Sequence, residues 1–184
     1  LRKNLELNRC DTVVALRYAV GDKHDVIEIA GEQVQGVGSG GEQVELRTID
    51  SFELANVSLL KIDVEGFEDY VIAGAAKTIR DNRPLVIVEI QGGTTLESAS
   101  PQQRQQIEHT IETLKDFDYE VINIGGHDYL ALPQEREAEV TRKLNKAMAA
   151  GEDQSDKTLL VALAALMGAA VVLGGILLWR SRYA

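Results

Sequence analysis

SLLKIDVEGFEDYVIAGAA, Ser58 to Ala76, drives an apolar run into two carboxylates, Asp63 and Glu65. A glycine, Gly66, follows them, and then a segment with helical character. An apolar strand that ends in acid and turns at once into a helix is the βα unit of an α/β domain. Carboxylates at such a strand mouth need a reason to be there.

The neighbouring segments repeat the alternation. Upstream, TVVALRYAV (Thr12 to Val20) reads as a strand that stops at Gly21–Asp22, and VIEIAGEQV and QVELRTI read as a hairpin around the glycine-rich VQGVGSGGE. That loop neither follows a buried strand nor opens a helix, so it is not a phosphate cradle. Downstream, FEDYVIAGAAKTIRDN reads as one helix and PLVIVEI, Pro84 to Ile90, as another apolar strand. PQQRQQIEHTIETLKDF carries Ile107, Ile111, Leu114 and Phe117 on one helical face, and YEVINI and DYLALP pair across Gly125–Gly126. Short apolar strands between helices predict a mainly parallel sheet.

In an open parallel sheet, ligands bind outside the carboxyl ends of the strands. Asp22, Asp63, Glu65 and Glu89 all follow or end such runs and are expected at one rim. Crowded carboxylates in a partly dry cleft raise one another's pKa values, which suits a proton acceptor. Glu68 and Asp69 fall in the first turn of the following helix, where they complement its free N–H groups. Glu65 and Glu89 fit a structural or a functional role, whereas capping explains Asp63 less well.

Several chemistries are disfavoured. His24, His109 and His127 have no metal-ligand spacing, no serine sits in a G-x-S-x-G elbow, and Cys10 is the lone cysteine. No metal site is expected. A formal net charge of −10 argues against a general nucleic-acid binder.

The C-terminal part differs in kind. Glu135 to Lys157 reads as a mixed-charge helical stalk with a polar break, GEDQSDK. Thr158 to Trp179 then holds no charged residue. At about 1.5 Å per residue such a helix crosses a hydrocarbon core of roughly 30 Å, which predicts one transmembrane helix. Trp179 is placed as an interfacial anchor, and Arg142, Lys143, Lys146 and Lys157 outnumber Arg180 and Arg182. The positive-inside count then puts the main domain on the cytoplasmic side of a single-pass protein. The expected organisation is a domain over 1–133, a stalk and linker over 134–157, a span over 158–179 and a tail over 180–184. The opening LRKNLELN reads as the last turns of a helix with Asn8 as its stop, so the chain is expected to be a piece of a longer protein.

The order of LRKNLELN, RYAVGD, TIDSF, LLKIDVEGFEDYVIAGA, RPLVIVEI, FDYEVINI and DYLALP resembles the FkbM-type methyltransferases. The resemblance covers about residues 1 to 133 and implies a class I, Rossmann-like methyltransferase sheet. It also implies transfer of a methyl group from S-adenosylmethionine to a hydroxyl of a sugar, lipid-linked or polyketide-like acceptor. By the same resemblance Asp63 stands beside the transferred methyl, Glu65 and Glu89 orient the acceptor or serve as base, and Ala19 and Asp22 face the adenine. The family's D-x-G-A-x-x-G turn and its ribose-binding acid do not occur here, so this chain is expected to hold an incomplete cofactor site and an open central sheet edge.

The leading expectation is a membrane-anchored O-methyltransferase that is inactive as this chain alone. The alternative is a non-catalytic, methyltransferase-derived scaffold tethered to a membrane. A metal-dependent enzyme built on the carboxylates is weaker, since no His ligand pattern or paired D-x-D accompanies them.

Overall fold

The computed structural model describes residues 2–9, 11–30, 33–35, 41–90, 99–136, 138–140, 142, 170–173 and 176–180. Helix α1 (Arg2–Leu7) comes first. It stops as the sequence predicts, although the left-handed residue is Arg9, one position beyond Asn8. Strands β1 (Ala19–Val20), β2 (Asp25–Ala30), β3 (Gln33–Gln35) and β4 (Glu42–Arg47) form one sheet, in the order β1-β4-β2-β3. The predicted hairpin is the antiparallel β2–β4 pair. The strand expected over Thr12 to Val20 is confined to its last two residues, which pair with Leu46 and Arg47.

The second sheet contains the segments that decided the reading. Strand β5 (Val57–Ile62) leads into helices α2 (Glu68–Gly74) and α3 (Ala76–Asn82), and strand β6 (Leu85–Glu89) returns parallel to β5, with Leu59 opposite Leu85 and Ile62 opposite Val88. Helix α4 (Pro101–Lys115) follows, opened by Ser100, which accepts from Gln103 N–H while the Gln103 side chain accepts from Ser100 N–H. That reciprocal capping box satisfies two donors a helix start otherwise leaves open. Strands β7 (Tyr119–Gly125) and β8 (Asp128–Pro133) form the predicted antiparallel pair, and β8 runs antiparallel to β6.

Both faces of this sheet are covered, which is why β5 and β6 read as nearly unbroken apolar runs. One face packs Leu60, Ile62, Val86, Val88 and Ala131 against Val71, Ile72 and Ile79 of α2 and α3, and against Ile107 and Leu114 of α4. The other face gathers Leu59, Leu85, Ile87, Leu130 and Leu132 with Val140.

The expected single helix over Phe67 to Asn82 is divided at Ala75, whose φ of −108° and ψ of 7° leave the helical region. Packing explains the division. Gly74 lies so close to Gly21 that a Cβ there would overlap the Gly21 carbonyl. Helix α3 then starts afresh under Asp50, whose carboxylate accepts from Lys77 N–H at 2.9 Å and from Thr78 N–H at 2.7 Å. The TIDSF segment supplies that acid from a short 3-10 turn, Ile49–Phe52, itself capped by Thr48. At the far end of α3, Arg83 forms a two-pronged pair with Glu135, at 2.7 and 2.8 Å.

Two expectations are corrected. The sheets are not mainly parallel: β5–β6 and β1–β4 are the parallel pairs, and the remaining described pairs are antiparallel. The β-hairpins explain this, because short turns such as Gly125–Gly126 can join antiparallel strands only. The helix expected over 158–179 is also not what its described part adopts. Strands β9 (Ala170–Leu173) and β10 (Ile176–Arg180) stand there, and β10 pairs antiparallel with β5, Ile176 opposite Ile62 and Trp179 opposite Leu59. Residues 158–169 and 174–175 lie outside the described residues. Among the described residues no helix is long and apolar enough to cross a membrane. A bare sheet edge presents a row of free N–H and C=O groups, and a Val- and Leu-rich segment is suited to pair with it. Length and apolarity alone do not separate that outcome from a span.

Candidate active site

Asp63 follows the last residue of β5, and Glu89 is the last residue of β6. Since these strands are parallel neighbours, the fold brings both carboxylates to one carboxyl-terminal rim, each partly buried. The β7–β8 turn arrives at the same rim, because Glu89 sits opposite Asp128 and the His127 carbonyl accepts from Ile90 N–H at 2.9 Å. Lys61 also reaches in, its Nζ lying 2.9 Å from Asp128 Oδ1 and 3.6 Å from Glu89 Oε2. Glu89 is therefore part of an ion cluster rather than an isolated base.

Glu65 occupies the turn after Asp63, exposed, with φ at +51°. Gly66 follows at φ +98°, a conformation glycine adopts without strain. Glu68, expected to complement the free N–H groups at the start of α2, is fully buried there. Its Oε1 accepts from Gly66 N–H at 2.8 Å and its Oε2 from Gln106 Nε2 at 3.3 Å. Burial, first of its causes, pushes the Glu68 carboxyl above the usual range. Asp69 accepts from the Thr110 hydroxyl of α4 and has His109 Nε2 at 3.9 Å. Helix α4 thus grips the start of α2 at two points.

Ala19 and Asp22 are placed differently. Ala19 belongs to the other sheet and Asp22 to the bend that follows its β1, where Asp22 meets α2 at Gly74, the end away from the carboxylate turn. The Asp22 side chain is exposed. Of the three residues expected at the cofactor, Ala19 and Asp22 thus end or follow a strand of one sheet and Asp63 follows a strand of the other, whose outer β5 edge is taken by β10.

Lys61, Gln106 and Asp128 are the residues here that sequence reading missed, and Glu68 is one that it assigned to the helix start alone. A lysine inside an apolar strand, VSLLKI, was the available signal for the first. Among the described residues no three His, Cys, Asp or Glu are grouped to hold a metal ion. His127 Nδ1 is the buried side-chain atom among them that lacks a hydrogen-bond partner.

A search of curated proteins returned no match. Among solved structures the chain is similar to methyltransferase FkbM from Methylobacillus flagellatus KT, with 14% sequence identity and a TM-score of 0.46. The likeness covers 71% of this chain and 31% of that one, so the chain spans under a third of that protein's length. The profile of the methyltransferase FkbM domain matches residues 5–121, most of the chain and all of the rim from Asp63 to Glu89. On that match, the chain belongs to the FkbM methyltransferase family.

Proposed function

We propose that this chain carries the acceptor side of an S-adenosylmethionine-dependent O-methyltransferase. The observation that supports it is the meeting of Asp63 and Glu89 at the carboxyl ends of parallel β5 and β6, inside the family match. In this reading Asp63 takes the hydroxyl proton of a sugar, lipid-linked or polyketide-like acceptor, and Glu65 and Glu89 orient that acceptor. In-line placement of the hydroxyl supplies much of the rate. In this reading the chain alone does not turn over, because the glycine-rich cofactor turn that the resemblance implies does not occur in it.

Methyl transfer by the intact native protein is the test. Asp63→Asn should lower kcat by about 100-fold, within the range for losing a positioned proton acceptor, and leave cofactor affinity within about threefold. Unchanged turnover removes Asp63 from this role.

A second reading is favoured by one observation: β10 occupies the edge of β5. It makes the protein a non-catalytic, methyltransferase-derived scaffold. Calorimetric titration of the intact protein with S-adenosylmethionine separates the two, since the scaffold binds none. A membrane tether, supported by the uncharged run from Thr158 to Trp179, is the alternative to the β5–β10 pairing, since the same residues cannot do both. In lipid that run satisfies its backbone as a helix, with the domain on the cytoplasmic side. Release of the protein from membranes by alkaline carbonate would dismiss the tether.

A further inference from the structure

We propose that Glu68 is a positioning residue, whose buried carboxylate fixes the turn that presents Asp63 and Glu65; this rests on the functional reading above. Glu65 and Gly66 both adopt positive φ, and Glu65 carries a side chain in a region that costs free energy unless the surroundings impose it. Glu68 supplies that imposition from two residues away, through the 2.8 Å bond from Gly66 N–H.

The carboxylate is itself anchored. Gln106 of α4 donates to Glu68 Oε2 at 3.3 Å and, from the same nitrogen, to the Gly66 carbonyl at 3.3 Å. Gly66 is therefore held at both its N–H and its C=O, by one side chain from α2 and one from α4. The neighbouring Asp69–Thr110 bond fixes α2 against α4, so the clamp has a rigid base. Burying an acid completely is unfavourable, and capping an exposed helix start would not require it. Holding a strained turn beside the reacting carboxylates does require an immobile acceptor.

The test uses the intact native protein and two variants, Glu68→Ala and Glu68→Gln, each read by amide hydrogen exchange at Gly66 and by methyl-transfer kinetics. Glu68→Ala should speed Gly66 exchange and lower kcat by about 10- to 100-fold, the scale of a small misplacement, with acceptor KM within about threefold. Glu68→Gln retains an acceptor for Gly66 N–H and should restore both readings to within about threefold of the parent. If Glu68→Ala does not fold, Gln106→Ala removes the other half of the clamp and should move both readings in the same direction. Faster exchange with unchanged kcat leaves Glu68 a purely structural residue and overturns the proposal, as does unchanged exchange. An inactive parent protein instead overturns the functional reading, and this role with it.

Discussion

Lys61 bonds Asp128 across an intervening strand: Nζ and Oδ1 lie 2.9 Å apart although β6 separates β5 from β8. Glu89 on that middle strand stands 3.6 Å from the same nitrogen. One cation thus fastens the ends of three strands at the rim. The lysine side chain is 20% exposed, so it is poorly replaced by water. Lys61→Met should cost about 1–3 kcal/mol in urea denaturation, because it strands two carboxylates side by side. Neutralising them as well, with Glu89→Gln and Asp128→Asn, should recover part of that loss. A single Lys61→Met variant as stable as the parent would show that the cluster contributes nothing.

Asp50 is a cap delivered from elsewhere in the chain. Its two oxygens meet the N–H groups of Lys77 and Thr78, which otherwise lack partners at the start of α3. Asp50→Ala should lower stability by about 1–2 kcal/mol, with Asp50→Asn intermediate. The midpoint of chemical denaturation measures both. Equal midpoints for all three proteins would exclude the capping role.

Much of the fold was legible, and its exceptions have a common cause. The apolar runs of β5 and β6, the Ile107–Leu114 periodicity of α4 and the Gly125–Gly126 turn are local signals, and each produced the element expected. The break at Ala75 depends on Gly21 approaching Gly74 from another sheet. The buried Glu68 is met by Gln106, on a helix three elements further along the chain. Lys61 and Asp128 meet only because β6 lies between them. The same limit governs the candidate site: Asp63 and Glu89 could be placed from strand ends, whereas Asp22 could not be assigned a sheet. At the C-terminus, apolarity announced burial without saying against what.

Gly74→Ala tests the contact that divides α2 from α3. A methyl group there meets the Gly21 carbonyl, a backbone atom that cannot swing aside. The expected loss lies at the upper end of the roughly 1–3 kcal/mol typical of overpacking. Thermal denaturation reads it. A neutral outcome would mean that the two sheets separate there at little cost.

Two acids should respond to pH in opposite directions. Hydrogen bonding to Arg83 draws the Glu135 carboxyl from 4.5 down to about 2. Its contribution is therefore present above 4.5 and is lost as the pH falls toward 2. Because the Glu135 side chain is about half exposed, its pair is worth at most about 1 kcal/mol. The midpoint difference between the parent and Glu135→Gln should shrink steadily between pH 5 and pH 2.5. Glu68, raised by burial, favours the fold below 4.5 and loses that advantage as the pH rises through its folded value. Glu68→Gln should then gain stability over the parent at pH 7.5 and lose that gain in acid. Parallel pH profiles for both variants and the parent would contradict both assignments.

The pairing of Ile62 with Ile176 also fixes a timetable. During synthesis β5 meets β6 soon after both emerge, because only α2 and α3 separate them. Its outer neighbour, β10, is translated after every other described strand and helix of that sheet. Until then β5 keeps one raw edge, the condition in which nascent chains stick to one another. Ile176 to Arg180 close that edge, so a ribosome that stalls before Ile176 would release a sticky product rather than a merely shortened one.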